Sequence, residues 1–73
     1  MHPDERRRSL IRAVRELSQA VELLAGRRLD LFPLVIFCIT EVNAGRATIA
    51  QLEAAASAIL QEAEIAMLGE VLP

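Results

Sequence analysis

A chain of 73 residues makes one domain with a small core, since folding at this size removes only about 60% of the unfolded surface from water. Yet 53% of the residues are hydrophobic and the mean hydropathy is +0.35, more apolar material than a lone three-helix unit readily hides. The net charge of −2 is unevenly spread: residues 1–46 carry eight arginines against six acids, while residues 47–73 carry four glutamates and no base, which excludes a uniformly basic surface and makes the two ends complementary.

The first helix is expected over about residues 4–25. Pro3, Asp4 and Glu5 suit a first turn at the positive end of a helix dipole, and Gly26 is a stop signal. Between them Leu10, Val14, Leu17, Val21 and Leu24 alternate at spacings of four and three, an apolar seam widened by Ile11 and Ala20. The opposite face carries Arg8, Arg12 and Arg15, whose guanidinium forks match carboxylates and phosphates. They are the candidate partner-binding residues, with Arg12–Glu16 and Glu5–Arg8 as the pairs a merely solvated face would form.

The second helix is expected over about 31–43. The stretch LFPLVIFCITEV is rich in β-branched residues, but an isolated strand would have nowhere to place its backbone hydrogen bonds, and no second strand candidate exists. Asp30 can cap a helix, Pro33 falls in its first turn, and Asn43–Gly45 ends it,. Such a helix is apolar on nearly every side and requires cover all round. Two helices of the same chain cannot supply it, so a twofold homodimer, the commonest soluble oligomer, is expected. Its interface is assigned to Leu17, Val21, Leu24, Leu31, Phe32, Val35, Phe37 and Ile39.

The third helix is expected over about 49–69, opened by Thr48 and Gln51 in capping-box spacing,. Its seam of Ile49, Leu52, Ala56, Ile59, Ala63 and Ala66 is half alanine, which allows close backbone approach. Residues 1–73 are thus read as a single all-α domain, a three-helix unit in a homodimeric bundle, with residues 1–3 and 70–73 frayed.

Residues 29–56, LDLFPLVIFCITEVNAGRATIAQLEAAA, resemble the middle of winged-helix regulators of the MarR kind, where an apolar helix leads through a turn into the first helix of a helix-turn-helix. The resemblance implies a DNA-binding regulator that dimerises through its first helix. On that alternative Arg27, Arg28 and Arg46 lie near phosphates. The chain departs from the pattern at SAILQEAEIAMLGE, which lacks both the turn and the basic readout helix, and whose glutamates phosphates repel. LLAGR at 23–27 resembles a helix end of all-α chorismate mutases, but the chain has no lysine and no second arginine at the required offset.

No catalytic constellation emerges. His2 and Cys38 are the sole histidine and cysteine, and a nucleophile–base pair would require a terminal residue to meet one in the apolar stretch. His2, Asp4 and Glu5 lack a closing metal-ligand set. No cofactor is expected, and the two phenylalanines, without Tyr or Trp, offer no stacking platform for bases. Cys38 reads as a small buried hydrophobe in a reducing cytoplasm. No signal peptide is evident, and the apolar run is shorter than the ~20 residues that span a bilayer. The expectation is a non-enzymatic protein–protein interaction module, cytoplasmic, acting as regulator, inhibitor or adaptor. A structural subunit of a larger hetero-complex is the second alternative.

Overall fold

Three helices follow one another in the computed structural model, which describes the backbone of residues 2–71 and the side chains of residues 2–69. They are α1 (Pro3–Ala25), α2 (Phe32–Asn43) and α3 (Ile49–Val71), and no strand occurs among the described residues. Of the ends expected to fray, Met1, Leu72 and Pro73 lie outside the described residues. Pro3 opens α1, and α3 runs through Val71.

Local chemistry sets the ends. His2 stands in extended backbone before α1, its Nδ1 accepting from the Asp4 N–H at 3.2 Å. At the other end Gly26 adopts φ 71°, a left-handed conformation natural to glycine, and its N–H donates to the Glu22 carbonyl at 3.0 Å. The start of α2 falls one residue later than expected. Leu31 occupies the cap position, and Asp30 Oδ1 accepts from the Phe32 N–H at 3.2 Å, a short-range bond that Asp side chains favour in turns. The capping box of α3 forms in both directions: Gln51 N–H donates to Thr48 Oγ1 at 3.1 Å, and Thr48 N–H donates to Gln51 Oε1 at 2.9 Å,.

The chain runs up, down and up. Grooves between α1 and α3 pair Glu16–Leu23 with Glu53–Leu60, and then Glu22–Ala25 with Ala63–Met67, so these two helices are parallel. Helix α2 descends beside α1, Leu29 near Glu22 and Asn43 near Pro3 and Arg7. Lengths then matter. With 23 residues each, α1 and α3 are about 34 Å long, whereas the 12 residues of α2 span about 18 Å,. Helix α2 therefore covers only the lower half of the α1–α3 pair, the half holding both of their N-termini.

The core lies at that lower level, where Leu10, Val14 and Leu17 of α1 meet Cys38 and Val42 of α2 and Leu52 and Ala56 of α3. Ala13, Ala20, Ala56 and Ala63 are all buried, and their small side chains let α1 and α3 approach closely. Neither phenylalanine enters the core. The molecule is consequently long and thin, 50 × 23 × 19 Å, with a radius of gyration of 13.9 Å, where about 11 Å is usual for this length. Its accessible surface is 5617 Å², against about 4,500 Å² for a typical monomer of its mass.

Candidate functional site

At 100° per residue, Cys38 and Val42 turn α2 toward the core, and Leu34, Val35 and Ile39 pack at its flanks,. The same period puts Phe32, Pro33, Ile36, Phe37 and Thr40 on the outer side, all exposed. Phe32 is 69% and Phe37 61% accessible. That face carries no charge. A helix whose outward side is as apolar as its inward side is suited to cover by another protein.

A second apolar region begins where α2 stops. Leu23 and Leu24 on α1, with Ala66 and Met67 on α3, are exposed around a groove closed at its upper rim by Arg27 and Arg28. Leu60 extends the apolar lining along the neighbouring groove, beside Glu16 and Glu53. On the far side of α3, Ile65 and Leu68 are exposed as well.

The eight residues assigned to a dimer interface divide three ways. Leu17 belongs to the core of the single chain. Val21, Val35 and Ile39 are half-buried and packed against that core, and Leu31 is half-buried. Leu24, Phe32 and Phe37 are exposed. Ile36 joins them although sequence reasoning did not select it. Its place one turn after Phe32 was the available signal.

Arg8, Arg12 and Arg15 all lie exposed on the side of α1 opposite the core. Neither Arg12–Glu16 nor Glu5–Arg8 comes within ion-pair distance; among the described residues the arginine pair that forms is Arg46 Nε to Glu41 Oε2 at 2.7 Å. That hydrogen bond holds the Glu41 carboxyl below its ordinary range and raises the Arg46 guanidinium. Among the described residues, none of the three arginines of the α1 stripe forms an ion pair.

Cys38 is 3% accessible, and burial pushes its thiol upward, away from the reactive thiolate,. His2 is exposed at the end of α1. Among the described residues, no three His, Cys, Asp or Glu side chains gather where a metal ion could be held, and no helix is long and apolar enough to cross a membrane. Helix α3 is unbroken from Ile49 to Val71, so it contains no turn into a separate readout helix. The arginines that the winged-helix resemblance would set near phosphates are also divided, Arg27 and Arg28 above the end of α1 and Arg46 in the turn at the lower end. No protein-family model, curated protein or solved structure matches the chain, so the resemblance of residues 29–56 rests on those residues alone.

Proposed function

We propose that this chain is a small non-enzymatic protein–protein interaction module of the cytoplasm, a regulator, inhibitor or adaptor, that self-associates through its apolar helices and docks onto a partner protein. The observation that carries the reading is the outer face of α2: both of the chain's aromatic side chains stand in solvent there, flanking Ile36, with no charge between them. Aromatic anchors supply most of the binding energy at protein interfaces, and charge is depleted from interface centres. The arginine stripe of α1, which forms no ion pair among the described residues, offers an acidic partner both affinity and a faster on-rate.

The test is the double variant Phe32→Ser with Phe37→Ser, compared with wild type by circular dichroism and light-scattering molar mass. Both side chains lie outside the core, so helix content is expected to persist while association is lost. If wild type is a monodisperse monomer that binds no hydrophobic dye, and the variant behaves identically, the reading is refuted. For the stripe, Arg12→Glu with Arg15→Glu should lower partner capture; unchanged capture would make it solvated surface.

A further inference from the structure

We propose that the bare upper half of the α1–α3 pair is filled by the α2 of a second copy, in an antiparallel dimer whose twofold axis passes near the two Phe32 residues. This arrangement rests on reading the outer face of α2 as an association surface, and it names what that surface meets.

Length supplies the first reason. Helices α1 and α3 outrun α2 by 11 residues, about 16 Å, so the stretch that no helix covers, bordered by the connection 26–31 with Leu29 against Glu22, is close to the length of one α2. Turning a second copy end over end brings its α2 to that level. Phe32, Ile36 and Phe37 of one copy then face Leu24, Ala66 and Met67 of the other, and the reverse contact follows from symmetry.

Area supplies the second. A stable dimer needs about 800 Å² from each partner. With phenylalanine side chains of about 200 Å², 69% and 61% exposed, plus Ile36 at 47%, the outer face of α2 offers about 350 Å² and falls short by itself. Packing α2 on α2 alone is therefore too small. Adding the upper groove, where Leu23, Leu24 and Met67 are 52%, 47% and 49% accessible, enlarges that face, and the chain's surface exceeds that of a typical monomer by about 1,100 Å².

Charge supplies the third and selects the direction. Because α1 and α3 are parallel, the sequence asymmetry becomes an asymmetry along the rod. The lower half holds Arg6, Arg7, Arg8, Arg12 and Arg46 against Asp4, Glu5, Glu41 and Glu53. The upper half holds Glu16, Glu22, Asp30, Glu62 and Glu64 against Arg15, Arg27 and Arg28. An antiparallel pair sets the basic end of each copy beside the acidic end of the other, whereas a parallel pair would juxtapose like charges.

The test uses the full chain, half of it isotope-labelled, mixed with unlabelled chain for filtered nuclear Overhauser spectra between copies, with the dissociation constant followed against salt. The expected result is intermolecular contact from the Phe32 and Phe37 rings to the Met67 and Leu24 methyls. The dissociation constant should also rise about threefold or more from about 50 to 500 mM NaCl as end-to-end attraction is screened. A dimer with only ring-to-ring contacts, or one tightened by salt, overturns the arrangement while leaving the association reading intact. A chain monomeric at millimolar concentration overturns the proposal too; dye binding by that monomer would preserve the association reading, and its absence would end both.

Discussion

Replacing Phe37 with alanine separates what this side chain does for one chain from what it does between chains. With 61% of the residue exposed and a side chain of about 200 Å², about 120 Å² is available to a partner, worth up to about 3 kcal/mol per protomer at 25 cal/mol per Å². A twofold interface counts the loss twice. Allowing half for alanine's own area and imperfect cover, the dimer dissociation constant should rise at least about 100-fold. Within the single chain the effect is below about 1 kcal/mol, because alanine's better helix propensity offsets about 0.5 kcal/mol of lost contact. Thermal unfolding by circular dichroism at about 5 and about 500 μM distinguishes the two, since only a stabilising partner makes Tm concentration-dependent. The variant should match wild type in the dilute sample and melt lower in the concentrated one. An equal loss of Tm at both concentrations would mean that Phe37 supports the monomer fold, and the reasoning would fail.

Three further outcomes follow from the packing. Val42→Ala, at a site only 2% accessible, removes about two methylene equivalents and leaves a cavity, so chemical denaturation should show a loss of about 2 kcal/mol independent of concentration. Ser18→Ala should raise stability by about 1 kcal/mol in the same assay, because the Ser18 hydroxyl oxygen is buried without a hydrogen-bond partner and alanine is the better helix former. Glu41 titrates below its ordinary 4.5 because Arg46 hydrogen-bonds the ionised carboxylate. Its contribution is fully present above that pH and lost as pH falls through the lower folded value; Arg46→Gln should return the Glu41 titration, followed by NMR, toward 4.5.

The elements were legible because their end signals are local. Gly26 and the Thr48–Gln51 box act through bonds within a few residues, and the seam of Leu10, Val14 and Leu17 repeats at helical spacing. What the seam could not show is where its neighbour stops. Leu24 continues the pattern perfectly well, yet it is exposed because α2 ends below it. Ala13, 1% accessible, escaped notice because alanine gives little hydrophobic signal, and its burial comes from the close approach of α1 and α3. The parallel course of those helices, which turns a sequence asymmetry into a charged rod, depends on long-range packing that no local pattern encodes. For the candidate surface, an apolar helix was readable but its outward side was not: Ile36 and Val35 are neighbours of equal hydrophobicity, and only packing decides which faces solvent.

Small-angle scattering across a concentration series up to about 1 mM tests most directly whether this chain is half of a larger unit. An antiparallel dimer gives forward scattering that reaches twice the 8.0 kDa chain mass, from a particle thicker than the 23 × 19 Å cross-section but little longer than 50 Å. Forward scattering fixed at one chain mass, with a radius of gyration that stays at the monomer value throughout the series, would contradict it.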